Sequence, residues 1–115
     1  MRLVFVETPA FARDRPGHLD DEEFAYLQAA LLLAPDAGPV IPGTGGFRKL
    51  RWRNSKRSKG KRGGLRVVYY WVQDLEQVWL FAIYSKGDIE DLTAAERRLL
   101  KLEISEELRA KRGHW

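Results

Sequence analysis

Ten of the chain's twenty lysines and arginines fall in the stretch RKLRWRNSKRSKGKRGGLR, from Arg48 to Arg66, and none of its sixteen acidic residues does. The other positions hold ten basic against sixteen acidic residues, so an overall charge of +4 divides into a segment of +10 and a remainder of −6. Cations gathered in this way make a local positive field that attracts polyanions, which evenly spread charges would not. In FRKLRWR, the alternation of a strand puts Phe47, Lys49, Arg51 and Arg53 on one face and Arg48, Leu50 and Trp52 on the other. Leu50 and Trp52 then anchor the strand to a core while Lys49 and Arg51 project together. If the strand that begins at Leu65 pairs with this one, Arg66 joins them on that face. Guanidinium and ammonium groups over a sheet make a phosphate-binding surface, because arginine grips two phosphate oxygens at once. Around the strand cations lie Arg48, Arg53, Lys56, Arg57, Lys59, Lys61 and Arg62, with Gly60, Gly63 and Gly64 allowing close approach of one backbone to another. Nucleic acid is the expected partner.

Aromatic residues are plentiful near these cations, and rings that stack on unpaired bases favour single-stranded RNA over duplex DNA. Trp79 and Phe81 are expected in the core, and Tyr84, two residues before Lys86, is the ring expected in the site. Cleaving RNA without a metal needs a base for the 2′-hydroxyl proton, charge stabilisation at phosphorus and an acid for the leaving 5′-oxygen. The two histidines, His18 in a turn and His114 beside the C-terminus, are expected at the surface and away from this chemistry. A lysine crowded by like charges has a lowered pKa, so Lys49, Lys59 or Lys61 is a candidate base. Arg51 and Arg66 would hold the phosphorane and Lys86 would protonate the leaving group. Asp88, Glu90 and Asp91 have neither histidine partners nor metal-site spacing, so neither a metal nor a cofactor is expected.

The elements that position these groups follow from patterning. LVFVE (Leu3–Glu7) is a short apolar run expected as a strand covered on both faces. Thr8 before Pro9 starts a short helix in PAFARD, which RPG (Arg15–Gly17) is expected to break. Asp20 and Glu23 have capping-box spacing, and Phe24, Leu27 and Leu31, widened by Ala30 and Leu33, give a helix over Asp21–Leu33 that ends before Pro35. After the Phe47–Arg53 strand, residues 54–64 contain no apolar side chain and form a loop. Leu65–Val72 and Gln77–Lys86 form a β-hairpin turning near Asp74. Thr93 and Glu96 cap a last helix running to about Arg112, whose end carries Trp115. The order strand–helix–helix–strand–strand–strand–helix predicts one α+β domain over residues 1–115, with helices on a mostly antiparallel sheet.

Cysteine is absent, which excludes disulfides, thiolate nucleophiles and cysteine zinc sites. Neither a secretory signal nor a membrane-length apolar run is seen, so a soluble cytoplasmic protein is expected.

IPGTGGFRKLRW, the glycine-rich KGKRGGLRVVYYW, the strand VWLFAIYSK and the DLT step into the last helix together resemble the HigB/RelE family of toxins from bacterial type II toxin–antitoxin modules, most closely its HigB-type branch. The resemblance spans nearly the whole chain. It implies a RelE-like, microbial-RNase-type α+β fold and metal-free cleavage of messenger RNA on the ribosome, which inhibits translation. Lys49 and Arg51 match the family's paired cations on the second strand. Arg66 matches the arginine that contacts the scissile phosphate, and Lys86 falls near a cationic position at the end of the last strand. RelE-type members often carry a C-terminal tyrosine as base; DIEDLTAAERR has none, which shifts that role to a lysine or to Tyr84. The resemblance also implies a cognate antitoxin with a helix-turn-helix DNA-binding part, and contact with operator DNA only through that complex. Two other classes fit the same residues: a non-catalytic binder of RNA or the ribosome that blocks translation, and a toxin on this fold that inhibits DNA gyrase.

Overall fold

A computed structural model describes residues 2–53, 64–87 and 93–112. In chain order the elements are β1 (Val4–Glu7), α1 (Pro9–His18), α2 (Asp21–Leu33), β2 (Arg48–Trp52), β3 (Leu65–Val72), a 3-10 turn at Gln73–Leu75, β4 (Gln77–Ser85) and α3 (Ala94–Arg112). This is the α+β order expected from the sequence. The four strands form one sheet in the order β1-β4-β3-β2, antiparallel except for the outer pair β1 and β4.

β3 is the strand around which both cores form. Its odd-numbered residues Leu65, Val67 and Tyr69 pack with Phe11 and Leu19 near α1 and with Phe24, Leu27 and Leu31 of α2. Its even-numbered residues Val68 and Val72 pack on the other face with Phe47, Trp79 and Ile104 of α3. Alternation thus gives each face its own hydrophobic cluster, and a one-residue slip would exchange them. β4 departs from strict alternation: Val68 pairs with Ala82 but Tyr69 with Leu80, leaving Phe81 as the extra residue of a bulge. Phe81 and Ala82 consequently both pack with the α3 cluster.

Local signals set most boundaries. The Asp20 carboxylate accepts from the Glu23 N–H at 2.8 Å while the Asp20 N–H donates to Glu23 Oε1 at 2.9 Å, closing the capping box of α2. The same reciprocal pair forms at Thr93 and Glu96, with distances of 2.9 and 3.1 Å. There the Thr93 N–H holds the Glu96 carboxyl below the usual carboxylate range. The Thr8 hydroxyl accepts from the Phe11 N–H at the start of α1 and donates to the Phe81 carbonyl at 3.0 Å, so one side chain caps a helix and binds the bulged residue of β4.

Three expectations need correction. α1 runs through Arg15-Pro16-Gly17 to His18, which is therefore helical and not in a turn. Proline near the end of a helix removes one N–H but leaves the following turn able to close, and the Leu19 N–H reaches the Arg15 carbonyl at 2.8 Å. Arg15 also binds Asp21 at 2.9 Å and lies 4.8 Å over the Phe24 ring, tying α1 to α2. Leu33 does not widen the buried face of α2; it is 86% exposed, because it lies about 200° around the helix from Leu31. β1 is covered only in part: Phe5 and Val6 pack on opposite clusters, but Val4 is exposed at the sheet edge.

Tyr69 is buried on β3, and its hydroxyl donates to the Pro35 carbonyl at 2.7 Å and accepts from the Gly38 N–H at 3.0 Å. It therefore ties the segment after α2 to the central strand. Tyr69→Phe leaves both buried backbone groups without this partner and is expected to lower unfolding stability by about 1–3 kcal/mol in urea titrations. Burial pushes the Tyr69 phenol above its ordinary value, against the opposing effects of the Gly38 N–H and Arg48. A raised tyrosine pKa means the unfolded state ionises first, so this contribution is complete below about pH 10 and is lost as pH rises further. Wild type should accordingly lose stability more steeply than Tyr69→Phe above that pH.

Candidate nucleic-acid interface

The register of the three antiparallel strands decides which cations meet. Arg51 of β2 lies opposite Arg66 of β3, and Arg66 lies opposite Tyr84 of β4. Directly opposed residues share a face, so Arg51, Arg66 and Tyr84 form one row across the sheet, on the side of α3. Lys49 stands on the same face, in the next row with Val68 and Ala82. Lys86 follows Tyr84 by two positions and is exposed, and its backbone N–H donates to the Gly64 carbonyl at 3.1 Å. The structure thus gathers Lys49, Arg51, Arg66 and Tyr84 on one face, with Lys86 at the end of β4.

The row and the neighbouring Lys49 differ in burial. Arg51 is exposed, Lys49 and Tyr84 are half-buried, and Arg66 is only 8% exposed, with Nη1 donating to the Leu65 carbonyl at 3.2 Å. Tyr84 packs against the α3-side cluster. Like charges directly opposite each other on neighbouring strands destabilise a sheet. Arg51 and Arg66 stand opposite each other on neighbouring strands, and an anion that bridged them would be held by both guanidinium groups. Arginine suits such an anion better than lysine, since its fork can engage two oxygens of one phosphate.

Arg48 behaves differently from its neighbours in the basic run. It lies on the opposite face, and its Nη1 donates to the Gly38 carbonyl at 2.8 Å and the Asp36 carbonyl at 3.2 Å. Its charge serves the segment after α2 and is turned away from the row. Arg53 is exposed just beyond β2. Lys56, Arg57, Lys59, Lys61 and Arg62 lie outside the described residues, as do His114, Trp115, Asp88, Glu90 and Asp91. Among the described residues no group of three or more potential metal ligands occurs, and no helix is long and apolar enough to cross a membrane.

Two features that hold the row in place are absent from the sequence-based account. The first is the clip in IPGTGGF. Buried Thr44 donates to the Ile41 carbonyl at 2.7 Å and accepts from the Phe47 N–H at 3.1 Å. Tyr70 donates to the Gly45 carbonyl at 3.1 Å, and Arg97 of α3 donates to the Pro42 carbonyl at 3.1 Å. The clip therefore fixes the entry to β2 and docks α3 upon it. The second is the bulge. Simple alternation from Trp79 and Phe81 would put Tyr84 on the other face; the extra residue brings all three to the α3 side. As expected, Trp79 is core, at 4% exposure, while Phe81 is half-buried and meets Phe47 edge-on at 4.6 Å.

Compared with models of known protein families, the chain matches none.

Gly64 joins the strand ends that carry the row. Its φ of 59° lies in the left-handed region, and a Cβ there would stand 2.6 Å from the Trp52 carbonyl oxygen. Its own carbonyl meanwhile accepts from Lys86. Gly64→Ala is expected to cost at least about 1 kcal/mol of stability. It should also displace the amide resonances of Trp52, Arg53 and Lys86 in heteronuclear NMR spectra more than those of α2.

Proposed function

We propose that this protein is a toxin of the HigB/RelE kind, a ribosome-dependent, metal-independent mRNA endoribonuclease that a cognate antitoxin neutralises. The observation that carries the reading is the row Arg51–Arg66–Tyr84, in which two guanidinium groups and a phenol share one face across three strands. Strands hold side chains more accurately than loops, as positioning a scissile phosphate demands. The motifs around PGTGG and KRGG-x-R support the family assignment from the sequence side.

In this reading Arg66 and Arg51 bind the non-bridging oxygens of the scissile phosphate and stabilise the charge that builds on them. Tyr84 or Lys49 takes the proton from the 2′-hydroxyl, whose oxygen attacks phosphorus. As the bond to the 5′-oxygen breaks, Lys86 protonates that oxygen, leaving a 2′,3′-cyclic phosphate and a 5′-hydroxyl. Exposed Arg53 and the cations of residues 56–62 would track the neighbouring backbone, an interaction that weakens as salt rises.

Primer extension on a defined message in a reconstituted translation reaction tests this reading. Wild-type protein should generate new 5′ ends that require ribosomes. Arg66→Ala should reduce cleavage by about 10²–10³-fold, the usual effect of removing one transition-state donor. Arg66 is buried, so circular dichroism and thermal unfolding of the variant are compared with wild type, and Arg66→Lys, which keeps the charge without the fork, should also be impaired. Near-normal cleavage by folded Arg66→Ala would sink the assignment. Translation arrest without new ends would favour a non-catalytic ribosome binder, and normal translation would redirect attention to gyrase.

A further inference from the structure

A second concavity lies apart from the phosphate row and shares none of its residues. It is a groove of about 660 Å³ between β1, the start of α1 and α3, with Val6, Trp79 and Phe81 on its apolar side and Glu7, Glu103 and Glu107 on its polar side. Its aromatic wall is firmly held. The Trp79 indole N–H donates to Gln77 Oε1 at 2.8 Å, and the Phe81 ring is fixed edge-on to Phe47.

The charge of the groove runs against that of the protein. The chain is +4 overall, yet one carboxylate of β1 and two of α3, nearly a hundred positions further on, line this groove together. Glu103 and Glu107 are one helical turn apart on α3, a like-charge spacing that disfavours the helix in isolation. Among the described residues none of the three makes an ion pair. The groove's lining also includes Arg13, but that guanidinium is engaged with Asp14, at 2.9 Å through Nε and 3.2 Å through Nη2.

We propose that this groove docks a cationic amphipathic segment of a partner protein. An apolar side chain of that segment would sit against the half-buried Val6 and Phe81, beside the edge of Trp79, and its arginines or lysines would pair with Glu7, Glu103 and Glu107. Charge complementarity selects this occupant, because phosphate-bearing ligands are repelled by three carboxylates while a basic peptide is steered toward them. Arginine suits the site twice over, since its plane stacks on aromatic rings as well as pairing with carboxylates. The groove and the cationic row share no residue, so a partner seated here leaves Arg51 and Arg66 uncovered. The inference does not depend on the ribonuclease reading.

The test uses the full ¹⁵N-labelled chain and a synthetic peptide in which arginines alternate with leucines around a central tryptophan, with a glutamate-for-arginine version as control. Saturable binding is expected for the basic peptide alone, with amide shifts concentrated at residues 6–10 and 103–107. The double variant Glu103→Lys/Glu107→Lys should weaken binding about tenfold, a change within the range that interfacial charges control. It should leave the affinity for single-stranded RNA no lower. Glu103→Gln/Glu107→Gln removes the charge more gently and gives the same comparison if the lysines disturb α3. Absence of saturable binding, binding that both double variants retain in full, or shifts centred on Asp20–Glu23 would each overturn the proposal. So would concentration-dependent dimerisation of the chain alone that the variants abolish, since the occupant would then be a second copy.

Discussion

β3 is committed on both sides, and the other elements take their places from that. Its odd apolar residues belong to one hydrophobic cluster and its even apolar residues to the other. A strand with one wet face can tolerate slippage, but here any shift by one residue would force Arg66 into the core under α1 and α2 and move Val67 or Tyr69 out of it. The position of a charged residue on a central strand is thereby set by its apolar neighbours. Arg66 reaches its row because Leu65, Val67 and Tyr69 have nowhere else to go.

The same constraint explains how the ends of the sheet are finished. Nothing about β2 alone determines how its cations stand relative to β4, since β3 intervenes. Gly64 brings the end of β2 close to the start of β3 and binds the residue after β4, while the Thr44 clip fixes where β2 begins. α3 is docked on that clip through Arg97 and buries Ile104 against the even face of β3. Precision at the cationic row is thus supplied from the apolar core and from backbone contacts, while Arg51 stays exposed.

Much of this was legible from sequence because the deciding interactions are local. Capping boxes at Asp20 and Thr93, the pre-proline stop after α2 and the β-branched, aromatic run of β3 each act within a few residues. The face shared by Lys49 and Arg51 followed from alternation alone. What was not legible depends on partners distant in the chain. Arg15-Pro16-Gly17 has the composition of a break, but Arg15 and buried Leu19 hold the helix through it. The bulge at Phe81 has no residue-type signature; the hydroxyl that satisfies its carbonyl comes from Thr8. The acidic groove assembles glutamates from β1 and α3, which no window along the sequence would join.

Among the described residues β1 is the first strand and pairs with the last, parallel to β4, and the Thr8–Phe81 hydrogen bond spans 73 positions. During synthesis, therefore, the first strand emerges with no strand to pair with, and α1 and α2 emerge with no sheet to cover. Their apolar faces stay unsatisfied until β3 and β4 have left the ribosome. Chain closure over such a span is slow relative to local helix formation. The domain consequently completes itself late, and the nascent chain passes through a stage in which the segments of α1 and α2 have emerged before the surface that retains them.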